Sequence, residues 1–473
     1  MKKVILFVFV IFTFNINYIN AQKQSFKRYP IKKLINDFNY LFNKLEEIHP
    51  NCYAYISKEE FEKKKQSAFA KIDKPLTQLE FYKIIAPVFC LIGDGHSQMF
   101  PFGIIKELDN YLDNGLLFPL KLKFEKNKVI VLNDYDKIKK GSELLSINNY
   151  SIDTIKENIL QLYNGETKNF KESFLTDVFN SFLWVVYKFD STYTLKIRNL
   201  DNSTKNYIVT GISINNLENL ITDTSNTHYT YSEIETKKGK VAYFDLNDFE
   251  NPDKFSVFAK ETFLKIKNDS IQSLIIDLRH NPGGNSEIGH ILLNYINNKP
   301  IYAQASKMDV KLSKEGKREL KKIMKGSIPF WAKLFPIKML LPYDADNNIV
   351  TIKMNEETPE NNDLRFKGNV YVLIDIYSYS SAIAFSRTVK DYKIGVLVGQ
   401  ETGGYASGYG PATTIKLPHT KLEVNISFMH HYRPSGIDDL RGVIPDYIIQ
   451  EDSNVSDLDK VLYFTINLIN EKN

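Results

Sequence analysis

The chain has 473 residues, of which 43% are hydrophobic and 25% charged, the balance of a folded soluble protein rather than a disordered or membrane-embedded one. That length exceeds one ordinary core and predicts two or three domains. Lysine and arginine number 61 against 56 aspartates and glutamates, and the net charge of +5 is too small for this size to indicate nucleic-acid binding.

At the amino terminus, Lys2 and Lys3 precede an apolar run from Val4 to Phe14, and Asn20-Ala21-Gln22 supplies a small-residue cleavage site. This pattern predicts a signal peptide over residues 1–21, with a mature protein starting near Gln22 and exported to a periplasm or the outside. The run is too short to span a bilayer, and no later stretch approaches about 20 apolar residues, so stable membrane insertion is not expected. No cysteine follows it to carry a lipid anchor. The only cysteines are Cys52 and Cys90. Export permits a disulfide between them, and two buried free thiols are the alternative.

Residues 26–105 read as a helical domain. Ile31–Ile48, Lys58–Ile72 and Thr77–Leu91 alternate apolar and charged residues at helical spacing, with Pro50 and Pro75 between them. Thr77-Gln-Leu-Glu80 has the form of a capping box. The domain ends in Ile92-Gly-Asp-Gly-His-Ser97, a tight turn carrying an imidazole. From 112 to 215 the pattern is one of short strands, with Phe118–Phe124 and Lys128–Leu132 forming a hairpin and a short helix starting at Ile152. Gly115-Leu-Leu-Phe118 reads as a strand start, with a carboxylate-binding loop as the alternative. Residues 216–230 are polar and read as a linker. Over 228–473, strands such as Val241–Leu246 and Leu274–Leu278 alternate with helices such as Ser286–Ile296, which predicts an α/β core. The basic segment Lys307–Lys338, with Trp331, Phe335 and Met339 nearby, reads as a solvated insertion over a cleft. Contact with a membrane surface or an acidic partner is its alternative.

Two stretches carry the chemistry. Ser273-Leu-Ile-Ile-Asp-Leu-Arg-His-Asn-Pro-Gly-Gly284 and Asn369-Val-Tyr-Val-Leu-Ile-Asp-Ile-Tyr-Ser-Tyr-Ser-Ser-Ala382 are both buried-type β runs that break into special residues. In the first, Pro282-Gly283-Gly284 turns tightly and leaves N–H groups bare. In the second, Ser378, Ser380 and Ser381 stand where strand yields to helix. A glycine amide pocket and a strand-end serine are two components of an acyl-transfer site. A serine at a helix start is also a common N-cap.

Asp277-Leu-Arg-His-Asn-Pro-Gly-Gly284, Ser380-Ser-Ala382, Val396-Leu-Val-Gly-Gln-Glu-Thr-Gly403 and Gly442-Val-Ile-Pro-Asp446 follow one another in this order. In this the chain resembles the tail-specific, or carboxyl-terminal processing, serine peptidases, over about residues 230–450. The resemblance implies an α/β catalytic domain of crotonase/ClpP-like layered fold. It also implies a small PDZ-like β domain at 112–215, where Gly141-Ser-Glu-Leu-Leu-Ser-Ile-Asn-Asn149 looks like a PDZ segment with Asn149 replacing a glycine. It places the nucleophile at Ser380, with Ser381 and Ala382 in the small positions and Ile383 where an acidic residue usually stands.

One branch of that family uses a lysine base, but Thr402-Gly-Gly-Tyr-Ala-Ser-Gly408 holds Tyr405 in the lysine's place. A phenol with a pKa of about 10 is a poor base. The histidine-using branch resembles the tricorn core protease and the repeats of the interphotoreceptor retinoid-binding protein. It takes its base from the end of the helical domain, which nominates His96. His280 and the pair His430-His431 are fallbacks. In that branch the orienting acid is a glutamate three positions before the glycine of a Gly-Val-x-Pro-Asp motif. The resemblance therefore implies Asp439, three before Gly442, with Asp438 adjacent and a solvated loop carboxylate as the alternative for either. The oxyanion hole would combine the Ser381 amide with Gly283 or Gly284, and Asp277 and Arg279 would hold the strand ends together.

No cofactor is implied. His430 and His431 are strand neighbours facing opposite ways, which makes them poor co-ligands for a metal, and Gly-x-Ser-x-Gly and phosphate-loop motifs are missing. The expectation is an exported serine endopeptidase acting on protein or peptide substrates through an acyl-enzyme. The alternatives are a non-catalytic peptide- or ligand-binding protein on the same scaffold, and a crotonase-type acyl-thioester enzyme requiring coenzyme A.

Overall fold

The structure, a computed structural model, describes residues 26–125, 128–221, 227–302, 304–323, 342–450 and 459–471. The expected signal peptide and the part of the basic segment holding Trp331, Phe335 and Met339 lie outside these residues.

Three helices, Ile31–Ile48, Lys58–Phe69 and Gln78–Phe89, open the described chain. The first buries Leu34, Phe38, Leu41, Leu45 and Ile48, a stripe at three- and four-residue spacing that needs a partner surface. The third starts at the expected capping box: Thr77 Oγ1 accepts from Glu80 N, and Glu80 Oε2 accepts from Thr77 N at 2.8 Å. Cys52 and Cys90 are buried free thiols, which sets the disulfide aside.

The following region is a sheet in the order 122–125, 128–131, 143–147, 192–198, 204–210, with 150–151 paired to 143–147. The expected hairpin and the helix from Ile152 are present. Gly115 N–H caps the preceding helix on the Tyr111 carbonyl, and Leu117 makes only an isolated bridge to Ile212, so this stretch is not the strand start expected of it; the first strand begins at Leu122. The short-strand reading overlooks a 20-residue helix, Lys168–Tyr187. Its second half, Phe179-Asn-Ser-Phe-Leu-Trp-Val-Val-Tyr187, is rich in strand-favouring aromatic and β-branched residues. The buried positions Leu175, Phe179, Phe182 and Leu183 nevertheless share one helical face, and packing overrides propensity. The expected linker at 216–230 is likewise partly helix, Ile214–Ile221, and partly strand from Tyr229.

The sheet that carries the site has six strands in the order 447–448, 396–399, 369–374, 273–277, 239–246, 229–236. All are parallel except the last, which forms an antiparallel hairpin with its neighbour. The two central strands are buried on both faces, as continuous apolar runs should be. Leu274, Ile276, Val370 and Val372 face helices Pro252–Asn268, Glu287–Ile296 and Ser381–Asp391. Ile275, Tyr371 and Leu373 face the last helix, Lys460–Glu471. Arg279, almost fully buried, closes this end of the sheet by bridging Asp277 and Asp459, the structural role expected of it.

A second sheet joins 343–344, 349–353, 307–311, 429–432 and 408–409, beside a hairpin of Ala412–Lys416 and Glu423–Ser427. Part of the basic segment is therefore strand and part is helix, Lys314–Ile323. The core of the helical region continues into Val310, Val350, Ile415, Val424 and Phe428. The amino-terminal helices thus pack on the carboxyl-terminal hairpin. A buried carboxylate reinforces the contact: Asp37 accepts from His419 N (2.9 Å), Thr420 N (2.7 Å) and Thr420 Oγ1 (2.6 Å).

A net hydrogen bond to a charged group contributes about 1.5–3 kcal/mol. Asp37→Ala should therefore lower the unfolding free energy by at least that much, measured as a shift in urea midpoint at unchanged slope.

Candidate active site

Parallel pairing of 273–277 with 369–374 brings the loops that follow these strands to one edge of the sheet. The loops are stitched together. Asp375, ending the second strand, accepts from His280 N at 3.0 Å and from Tyr377 N and Ser378 N in its own loop. Ser378 is buried and donates its hydroxyl to the Leu278 carbonyl (2.8 Å), and Tyr379 N donates to the Asn281 carbonyl (2.9 Å). Ser378 is thereby committed to structure. Ser381 Oγ donates to the Gly284 carbonyl at 2.7 Å.

Ser380 is held differently. Its backbone has φ 52° and ψ −116°, a strained conformation for a residue with a side chain, and it makes no side-chain cap bond to the helix it precedes. That removes the N-cap reading. Its Oγ instead lies 3.1 Å from Nε2 of His96, a residue 284 positions away.

His96 arrives on the turn after the third helix. Buried Asp94 shapes this turn, accepting from the His96 backbone N–H (3.0 Å), from Ser97 Oγ and from His49 Nε2 (3.2 Å). His49 Nδ1 accepts from Asn51 N, so its proton sits on the nitrogen facing Asp94. Burial alone would raise the Asp94 carboxyl, but the His49 hydrogen bond and the pull of both imidazoles hold it well below the usual carboxylate range. Burial lowers the His96 pKa, and the Asp94 charge only partly opposes this.

Gly283 has φ +95°, and a Cβ there would fall 2.7 Å from the Ser381 amide nitrogen and 2.8 Å from Ser380 Cβ. Its own N–H is taken by Asn281 Oδ1 at 2.8 Å. Among the described residues the amides of Gly284 and Ser381 have no acceptor, which leaves this pair for a developing oxyanion. Gly283 shapes the pocket rather than donating into it.

Other expected residues fall elsewhere. Asp439 is exposed on the 435–440 loop and has no hydrogen bond to His96. That loop is pinned by Ser407 Oγ to the Ile437 carbonyl, and Asp438 points to His430 at 3.9 Å. The expected acid is therefore not the group at the imidazole. His96 Nδ1 faces the Tyr379 hydroxyl at 3.1 Å, and that hydroxyl faces Glu166 Oε1 at 2.9 Å. Neither Tyr379 nor Glu166 was anticipated. Adjacency to Ser380 could have flagged Tyr379, but Glu166, which precedes the N-cap Thr167, has no local signal. Fallback His280 rests against Tyr377, and His430 against Tyr409 and Tyr432.

Donor atoms of Asp94, His96 and Glu166 lie within 4.8 Å of one another, close enough to suit a cation. Hydrogen bonds within the protein already occupy them, apart from Glu166 Oε2. We assign the three to this network.

Residues 240–449 match peptidase family S41. The fold is shared with crystal structures of a CPAF mutant (15% identity, covering 92% of this chain and 95% of that one, TM-score 0.66). It is also shared with mature CPAF complexed with lactacystin (15% identity, 93% and 97% covered, TM-score 0.62). No curated protein matches the sequence at a significant level. What is shared is a mixed α/β architecture with an amino-terminal helical region and several sheets. The carboxyl-terminal part of the chain, residues 240–449, is of peptidase family S41.

A protonated imidazole cannot accept the Ser380 proton. With His96 shifted downward, kcat/KM on a peptide substrate should rise with pH along an acid limb centred below 6.5. Gly283→Ala should displace the Ser381 amide and lower kcat by about a hundredfold, the cost of one oxyanion donor.

Proposed function

We propose that the protein is an exported serine endopeptidase that hydrolyses peptide bonds through an acyl-enzyme. Ser380 Oγ attacks the scissile carbonyl carbon while His96 Nε2 takes its proton and returns it to the leaving amine. Water, deprotonated by the same nitrogen, then releases the acid product. The amides of Ser381 and Gly284 hold the oxyanion, and the N-terminus of helix Ser381–Asp391 favours its negative charge. No step uses a metal or cofactor. The acid implied at Asp439 is left out of the machinery because no contact supports it.

The observation that carries this reading is the 3.1 Å approach of Ser380 Oγ to His96 Nε2. The strained backbone at Ser380 and two unpaired amides beside it support it further. A crotonase/ClpP-like layering of 228–473 fits the parallel sheet with helices on both faces, and a PDZ-like unit at 112–215 fits the small sheet there. Export rests on the basic and apolar pattern of the first 21 residues. No helix among the described residues is long and apolar enough to cross a membrane.

Wild type should be labelled by a fluorophosphonate and should cut a denatured protein mixture, with the rate unchanged by EDTA. Ser380→Ala should abolish labelling, and Ser380→Ala and His96→Ala should each lower kcat by about ten-thousandfold or more. Equal cutting by wild type and Ser380→Ala would remove the serine from the chemistry. An unlabelled, inactive wild type that still binds peptide would favour the binding-protein alternative.

A further inference from the structure

A catalytic imidazole has to be held in one tautomer, with its lone pair toward the nucleophile. In the Ser-His-acid arrangement a carboxylate on the far ring nitrogen does this. Here that nitrogen meets a phenol, and the phenol meets a carboxyl group. We propose that Tyr379 is the positioning residue for His96 and that Glu166, acting through it, selects the imidazole tautomer; this rests on the serine-peptidase reading above.

The direction of each bond follows from the donors available. Tyr379 has one hydroxyl proton. Given to Glu166 Oε1 at 2.9 Å, it leaves the phenol oxygen to accept Nδ1–H of His96 at 3.1 Å. Nε2 then carries the lone pair that faces Ser380 Oγ. Had the phenol donated to Nδ1 instead, Nε2 would bear the proton and could not accept one from serine.

The surroundings are built for this pair. A Cβ on Gly95 would stand 2.3 Å from the Tyr379 hydroxyl oxygen and 2.7 Å from Glu166 Oε2, so only glycine leaves them room. Gly95 N–H also donates to Glu166 Oε1 at 3.2 Å. The Tyr379 ring is stacked against Phe170 at 4.7 Å and against His96 at 4.8 Å. Both departures from the family pattern border the same place. Tyr405, in the lysine's position, donates to the Glu166 carbonyl oxygen (3.2 Å), and Ile383, in the acid's position, packs with Tyr379 against Gly404.

Burial, and after it the charge of Asp94, raise Glu166 to about 8. Burial, then Glu166, keep the Tyr379 phenol protonated far above its ordinary value. Asp94, Tyr379 and Tyr163 face Glu166, with Tyr55 and Tyr405 at its edge, and Asp94 and His431 face His96. Below about pH 8 Glu166 holds a proton and is able to donate to the phenol, which then donates to Nδ1 and spoils the base. Above it the carboxylate only accepts, and the productive orientation alone remains. The sign is therefore activation with rising pH, in addition to the lower limb from His96.

The test measures kcat and KM separately across pH, together with the rate of fluorophosphonate labelling, for the full-length mature protein. Wild type should show a second ascending limb of kcat near pH 8. Tyr379→Phe, which keeps the stacked ring, should lower kcat about a hundredfold at unchanged KM and lose that limb. Glu166→Gln should lose the limb near 8 while keeping the His96 limb, and Asp439→Asn should change neither. If Tyr379→Phe does not fold, judged by its melting temperature, the Glu166→Gln profile decides alone. A wild-type profile in folded Tyr379→Phe or Glu166→Gln, or a hundredfold loss in Asp439→Asn, overturns the inference while leaving a labelled, active enzyme intact. A wild type that is neither labelled nor active overturns the peptidase reading and this inference with it.

Discussion

The histidine turn is laced to the inner strand of the carboxyl-terminal hairpin, and the site depends on that lacing. Gln98 and Asn425 exchange backbone hydrogen bonds at 3.1 and 2.8 Å, and Ser97 Oγ accepts from Ser427 N at 2.9 Å. Asn164 closes the other side, donating to the Ser97 carbonyl (2.9 Å) and receiving Gln98 through its own. The imidazole's position therefore comes from backbone pairing and not from the side chain's own preferences. Because the same hairpin shares a core with the first helices, displacing it would disturb the nearest hydrophobic packing and the His96 turn together.

The serine's position has a separate origin. Parallel neighbours end at the same edge, so a glycine turn after one and a serine turn after the other must meet. Asp375 then locks the two turns by accepting amides from both. Strain at Ser380 persists because both flanks are fixed: strand and Asp375 before it, helix and the Gly284 carbonyl after it.

This division explains what could be read in the sequence. The serine turn and the glycine turn are local patterns, a buried run followed by special residues, and the meeting of Ser380 and Ser381 with Gly283 and Gly284 was legible from them. His96 was legible through resemblance, since nothing within its own turn says which of the chain's eight histidines faces a serine. Glu166 was not legible: its contacts lie 71 and 213 residues away, and the residues around it read as an ordinary helix start. Asp439 failed for a related reason, because counting along a loop fixes a position but not the direction in which the loop is tied. Lys168–Tyr187 was missed because composition favoured a strand where one buried face required a helix.

The wide separation of His96 and Ser380 along the chain has a consequence for how the site is assembled. A ribosome-bound chain that has reached Ser380 but not the hairpin ending at Ser427 has the hydroxyl without a seat for the imidazole. The approach of Ser380 to His96 thus waits until that hairpin has emerged and closed upon the histidine turn.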